Sequence, residues 1–293
     1  VHHCSHRYKD AFYYRDEPEP IRFDKWEPDG QTDLAIDFMQ QRAADSADDP
    51  FALVVSWGTP HTPFMAPEEF TSLYDEAALE LRPNVMFSDS VRHNDDARFA
   101  ADGLETEPML RKMLVNYYGA VSNIDTNVGR LLDRLDDLGI ADNTIVVFTS
   151  DHGEMMGSQG QMHKLQPWDE SILVPFLLRY PGHVPGATRI THPFGEPDVL
   201  PTLFSLMGLP APEGVEGADF SPIVRGQSED GPDSAFLIWP CNAVTWGKKW
   251  TGVNERRGMP HDFSREYRGI RTVTHTYVRD RQGPWMLYDN QKD

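Results

Sequence analysis

The chain has 293 residues, 39% of them hydrophobic and 25% charged, and 27 Lys plus Arg stand against 46 Asp plus Glu for a formal net charge of −19. That length allows one large α/β domain, or one with an appendage, and is ample to bury a core. The acidic balance excludes a nucleic-acid backbone as partner, which needs clustered Lys and Arg, and no apolar run reaches the roughly 18 residues of a membrane span.

Residues 1 to 30 are polar and aromatic, with acidic and proline punctuation at Asp16-Glu17-Pro18-Glu19-Pro20, and read as irregular surface. His2, His3 and His6 have no carboxylate or thiolate partner at fixed spacing and read as solvated. The two cysteines, Cys4 and Cys241, are too few for a disulfide framework and leave a single bridge open. Leu34, Ile36, Phe38 and Met39 predict a short helix over Thr32 to Arg42, capped by Thr32 or Asp33. After an acidic turn, Phe51 to Trp57 predicts a buried strand that delivers Gly58-Thr59-Pro60-His61-Thr62-Pro63. Flanking prolines restrict the backbone around His61. Such a histidine is either aimed for proton transfer or hydrogen-bonded structurally within the turn.

Pro67 to Glu107 is polar and shows little periodicity, and Arg92, His93 and Arg98 in it read as solvated loop residues. Pro108 opens a strongly amphipathic helix, with Leu110, Met113, Leu114, Tyr117, Val121, Ile124, Val128, Leu131, Leu135 and Leu138 on one face and Gly139 closing it. Asp125 within it reads as exposed or structural.

Ile145 to Thr149 is uncharged and entirely β-branched or aromatic, the pattern of a strand buried on both faces. Ser150-Asp151-His152-Gly153-Glu154 follows at once, placing a carboxylate and an imidazole where the strand ends. In open α/β sheets ligands bind outside the carboxyl ends of strands. Asp and His suit a divalent cation, but adjacent strand residues point to opposite faces, so both reach one ion only if the chain turns, which Gly153 permits. The other reading makes Asp151 a cap and leaves His152 in solvent. Beyond Gly157 and Gly160 comes His163-Lys164, then a second uncharged run, Ile172 to Leu178. Lys164 either returns to the same mouth to bind an anion or is an ordinary surface lysine.

Asp198 to Met207 reads as a helix stopped by Gly208, and His183 and His192 read as surface. Residues 209 to 234 are rich in Pro, Gly and acid and read as a connector. Ala235 to Trp239, Gly269 to Thr274, Thr276 to Asp280 and Trp285 to Tyr288 read as short strands, with Trp246, Trp250, Arg256, Arg257 and His261 between them. For the tryptophans packing is the expectation.

Several of these stretches together resemble the sulfatases of the alkaline-phosphatase superfamily. They are FALVVSWGTPHTPFMAPEEF, YYGAVSNIDTNVGRLLDRLDDLG, NTIVVFTSDHGE, the Lys164 loop running into VPFLLRYPG, DVLPTLFSLMGLP, RGIRTVTHTYV and WMLYDNQKD, in family order over nearly all the chain. The resemblance implies an α/β fold, with a mixed, largely parallel central sheet flanked by helices and a smaller C-terminal antiparallel sheet. It divides the chain into a partial core over 1–208, a connector over 209–234 and a β-rich part over 235–293.

By the same resemblance Asp151 and His152 match the second pair of metal ligands. Asn is the commoner residue at the latter position, which leaves the metal open, Ca2+ ahead of Mn2+ or Zn2+. Lys164 matches the lysine on the sulfate, and His61 the histidine that serves as general acid. One departure is large. The C-x-P-x-R motif whose Cys becomes the formylglycine nucleophile, and the Asp pair near it, do not occur: Cys4-Ser5-His6-Arg7 lacks the proline, and Trp239-Pro240-Cys241-Asn242 fits no better. The expectation is a piece of a sulfatase beginning after that motif and inactive alone. Its parent would hydrolyse a sulfate ester, with a sulfated carbohydrate as candidate substrate. A formylglycine-generating enzyme would be its maturation partner, and the periplasm or cell exterior its compartment. A phosphodiesterase or phosphonate hydrolase on the same scaffold and a non-catalytic anion-binding remnant are the alternatives.

Overall fold

A computed structural model describes residues 7–14, 17–45, 49–87, 106–240 and 266–292. The expectations for His2, His3, Cys4, His6, Arg92, His93, Arg98, Cys241, Trp246, Trp250, Arg256, Arg257 and His261 fall outside them. The chain forms two units, one of residues 1–83 with 104–143 and one of residues 84–103 with 144–293.

In the first unit, β1 (Phe12–Tyr13) pairs antiparallel with β2 (Ile21–Arg22). Helix α1 (Glu27–Asp45) starts a full turn before the predicted cap. Pro28, having no N–H to leave unpaired, suits a first turn, and Glu27 and Asp29 sit at the positive end of the helix dipole. Thr32 is therefore interior: its hydroxyl donates to the Pro28 carbonyl at 2.8 Å and accepts the Trp57 indole N–H at 3.2 Å. After the short α2 (Glu68–Thr71) comes α3 (Glu107–Asp137), with Pro108 in its first turn as expected. Gly139, at φ 68°, ends it in the left-handed conformation, its N–H on the Asp136 carbonyl and that of Ile140 on Leu135.

Helix α3 buries Leu110, Leu114, Ile124 and Leu135, as its periodicity predicts, and Asp125 is exposed. Val121, however, is 44% exposed, while Asn123 and Asn127 are buried. Both asparagine amides donate to Asp29 Oδ1 of α1, at 2.9 and 2.8 Å. A polar contact thus joins the two helices beside the apolar face that the periodicity predicts. Asp29→Ala would leave two buried donors without this acceptor, at about 1–3 kcal/mol each. Urea unfolding should show a loss of at least about 2 kcal/mol, and an unchanged midpoint would remove this bond from the account of stability.

Phe51 to Trp57 carries no strand ladder among the described residues, and Val54 is 90% exposed. This corrects the expected buried strand. Its β-branched composition reports only that the run fits a pleated surface; a ladder also requires a neighbouring strand to accept and donate.

In the second unit, β3 (Val146–Thr149) leads through the site to α4 (Asp169–Ile172) and β4 (Phe176–Arg179). Strands β3 and β4 pair antiparallel, Val146 opposite Arg179 and Thr149 opposite Phe176. Every named pairing among the described residues is antiparallel, so the predicted parallel ladders are not seen in them. Helix α5 (Glu196–Leu206) begins two residues before its predicted start, with Asp198 accepting the Gly195 N–H at 2.8 Å, and is followed by α6 (Ser221–Val224).

Four strands then form an antiparallel sheet in sequence order: β5 (Ser234–Trp239), β6 (Tyr267–Thr272), β7 (His275–Asp280) and β8 (Gly283–Asp289). One face buries Tyr267, Val278 and Met286 against Leu237, Trp239, Trp285, Tyr288 and Trp168. The Trp168 indole N–H donates to Tyr288 Oη at 3.0 Å, which ties the segment before α4 to the sheet. Among the described residues no helix is long and apolar enough to cross a membrane.

Candidate active site

Strand β3 ends at Thr149, and the next three residues fold back on themselves. The Ser150 hydroxyl donates to the His152 carbonyl at 2.9 Å, and Asp151 Oδ1 accepts the His152 N–H at 3.0 Å. This tight turn, rather than strand geometry, puts the Asp151 and His152 side chains on one side, with Oδ2 and Nε2 3.5 Å apart. His152 Nδ1 lies 2.8 Å from the Gly153 carbonyl. A carbonyl only accepts, so Nδ1 carries a proton, and Nε2 is the ring nitrogen turned to Asp151. Asp151 is 84% exposed, which leaves its oxygens accessible.

Hard oxygen and neutral imidazole, the latter oriented by a carbonyl on its far nitrogen, form a donor pair suited to a divalent cation. Their separation is within the roughly 4.8 Å that two bonds of about 2.4 Å can span. Two donors alone do not make a metal site, and no group of three or more His, Cys, Asp or Glu side chains able to hold an ion occurs among the described residues.

Gly153 anchors this turn from below. Its N–H donates to the Ser171 carbonyl at 2.8 Å, and a Cβ on it would stand 2.0 Å from the Glu170 carbonyl oxygen. Only glycine allows the chain so close to α4.

From Glu154 the chain runs out and back as a closed loop. The Met155 N–H donates to the His163 carbonyl at 2.8 Å and that of Gly157 to Gln161 at 2.7 Å, while Met155, Met156, Ser158, Gln161 and Met162 are buried. Its tip is held by residues 84–86: Val85 bridges Ser158, the Met86 N–H meets the Gly157 carbonyl at 3.0 Å, and the Gln159 N–H meets that of Asn84 at 2.8 Å. The Asn84 side chain donates in turn to Glu170 Oε1 at 2.8 Å. Because residues 155 and 163 pair, His152 and Lys164 flank one neck. The two glycines noted in the sequence, Gly157 and Gly160, have φ of 84° and 67°. Four residues with side chains share that left-handed region, Met156, Gln159, His163 and Leu165, at φ of 45°, 55°, 71° and 75°. Each such position costs of order 1–3 kcal/mol, and they cluster where function dictates backbone. Lys164 sits between two of them.

His61 belongs to the first unit. Its N–H donates to the Gly58 carbonyl at 3.2 Å, and Nδ1 lies 2.9 Å from the Thr62 carbonyl, so Nδ1 again carries the proton. The buried Tyr8 phenol supports the turn from beneath, its single O–H reaching the carbonyls of His61 at 2.7 Å and Gly58 at 3.0 Å. The second unit therefore carries Asp151 and His152 on one turn and Lys164 next to the Met155–His163 pairing, and His61 has its own buttressed turn in the first.

Two residues with evident parts in this geometry, Tyr8 and Glu154, were not singled out from the sequence. Glu154 carried a signal, an acid directly before the apolar pair Met155-Met156. Tyr8, fifty residues from the turn it supports, carried none.

Comparison with known proteins follows the same lines. A family profile described as Sulfatase matches residues 5–209, and one described as N-sulphoglucosamine sulphohydrolase, C-terminal, matches residues 157–293. An ulvan-active sulfatase of Formosa agariphila is 35% identical over 296 residues, covering 99% of this chain and 51% of the relative. Among solved structures, a putative sulfatase of Bacteroides fragilis superposes with a TM-score of 0.77 at 26% identity, covering 99% of this chain and 58% of the other. Another, solved in complex with its substrate D-glucosamine-2-N,6-O-disulfate, superposes at 0.78 and 19% identity, covering 98% and 67%, and speaks for the fold alone. The chain thus spans about half the length, or less, of curated relatives that it matches.

Proposed function

Because the chain belongs to the sulfatase family, we propose that it forms part of a sulfuric ester hydrolase whose substrate is a sulfated carbohydrate. The alkaline-phosphatase-like α/β architecture, with its closing four-stranded antiparallel sheet, is that of the family. What supports the assignment of site residues is the neck at which residues 155 and 163 pair, because it sets a metal-type donor pair and a lysine at the two roots of one strained loop.

In this proposal Asp151 and His152 would contribute to holding a divalent cation; the family resemblance puts Ca2+ ahead of Mn2+ or Zn2+, and the His152 nitrogen leaves the choice open. When bound, the ion supplies Lewis-acid polarisation of a sulfate oxygen. The Lys164 ammonium neutralises the charge that moves onto the bridging oxygen as the S–O bond breaks. His61, as an imidazolium with both ring nitrogens protonated, gives from Nε2 the proton that the departing alkoxide needs and is left neutral, its Nδ1–H still on the Thr62 carbonyl. The formylglycine nucleophile of the family is not among these 293 residues, as no C-x-P-x-R run occurs in them.

The test is to read the coding sequence upstream of Val1 and express the resulting protein with and without a formylglycine-generating enzyme. Sulfate release from sulfated oligosaccharides that depends on that enzyme supports the proposal. Preference for a phosphonate ester, or no hydrolysis at all, would sink it in favour of the two alternatives. In the active protein, chelation should abolish turnover and Ca2+ restore it. Asp151→Ala should raise the Ca2+ needed for half-maximal activity at least about tenfold while leaving the melting temperature unchanged, since exposed side chains contribute little to stability.

A further inference from the structure

We infer that Glu154 is a positioning residue, whose carboxylate clasps the neck of the 154–163 loop and so fixes the backbone from which Lys164 projects. The inference rests on the reading of Lys164 and His152 given above. Its grounds are geometric. Glu154 Oε1 accepts two backbone N–H groups, from His163 and, at 3.3 Å, from Met156. These amides belong to two of the four residues between 156 and 165 that carry a side chain in the left-handed region, and they lie on the outgoing and returning limbs of the loop. The carboxylate therefore bonds directly to the backbone that is under strain. Oε2 lies 3.8 Å from His163 Nδ1, and the Glu154 side chain is 11% exposed.

Burial alone would raise the Glu154 carboxyl, but the His163 imidazole and N–H, with the Met156 N–H, outweigh it and hold it below the usual carboxylate value. Bonds from N–H to a carboxylate are roughly twice as strong as neutral ones, which suits a clasp on strained backbone. The next residue after His163 is Lys164, whose following neighbour Leu165 is again left-handed. Releasing the His163 amide frees the backbone immediately before the lysine, and a displacement of about 1 Å at a reacting group can cost about 10²-fold in rate.

Both amides meet the same oxygen, and this makes the clasp separable from the charge. Glutamine offers its amide oxygen in the place of Oε1 and keeps both bonds. Aspartate keeps the charge but is one methylene too short to reach both, and alanine removes the acceptor. Amide hydrogen exchange on the 293-residue chain is the first test. In wild type and Glu154→Gln the His163 amide should exchange slowly. In Glu154→Asp and Glu154→Ala it should exchange at least about tenfold faster, while Val278 in the C-terminal sheet keeps its protection. Equal exchange at His163 in all four proteins overturns the clasp. So does a uniform loss of protection that includes Val278, which is the signature of a general stability role. Should the alanine variant fail to fold, the aspartate variant decides.

The second test is turnover of a sulfated sugar by the protein carrying its nucleophile. Expected is a kcat about 10²-fold lower in the aspartate and alanine variants than in the glutamine variant, with KM within about threefold. Equal kcat in glutamine and alanine variants overturns the positioning role even if the clasp exists. No turnover by wild type defeats the sulfatase reading and with it the catalytic half of the inference, and the exchange result still decides the clasp.

Discussion

Gly153→Ala is expected to destabilise the second unit by at least about 3 kcal/mol, the upper range for forced overpacking. The added Cβ would lie 2.0 Å from the Glu170 carbonyl oxygen and 3.3 Å from the Ser171 carbonyl carbon. Those are backbone atoms of α4, so no rotamer change relieves the clash. The same shift would stretch the 2.8 Å bond between the Gly153 N–H and the Ser171 carbonyl. For a unit of this size the loss corresponds to a fall of roughly 6–12 °C in melting temperature. Gly129→Ala is the control: Gly129 lies inside α3 with nothing within 4 Å of its ideal Cβ, and alanine there should stabilise by about 0.5–1 kcal/mol through helix propensity. A Gly153→Ala protein that melts within about 1 °C of wild type would mean that the turn does not lie against α4 as described.

Lys164→Ala should lower kcat/KM for a sulfate ester by about 10²–10³-fold, the usual loss when one group that stabilises developing charge is removed. The effect should fall on kcat more than on KM, because charge on the bridging oxygen grows only as the bond breaks. Lys164→Arg keeps the cation but spreads it over a planar fork with different reach, and should recover only part of the rate. Full activity in the alanine variant would remove Lys164 from the mechanism, whatever the fate of His152. The two substitutions separate by their readouts: the glycine change should lower stability and activity together, and the lysine change activity alone.

The site was legible in the sequence to the extent that local chemistry marks it. An apolar strand followed by Asp151-His152-Gly153, and a lysine after two loop glycines, are features of neighbouring residues, and they point to a metal-type pair and an anion-binding cation. The geometry that joins them was not legible. The pairing of Met155 with His163, the grip of residues 84–86 on the loop tip, and the fit of Gly153 against Glu170 are contacts between segments that the sequence separates by 8 to 75 positions. A buried acid such as Glu154 looks like any other glutamate until the donors that reach it are known.

What the sequence by itself determined are the elements whose signal is local and repeated. The long helix α3 shows its Leu110, Leu114, Ile124 and Leu135 face at helical spacing, its Pro108 start and its Gly139 stop, and the last three C-terminal strands follow one another through short turns. Tertiary structure alone decided three things. Phe51 to Trp57 joins no ladder among the described residues, Asn123 and Asn127 are buried on Asp29, and the turn at Gly58 to His61 rests on Tyr8. The physical reason is common to them. Periodicity records how much apolar area a segment can bury, whereas a backbone ladder or a buried polar group is stable only with a partner, and these partners lie some 50 to 98 residues away in the chain.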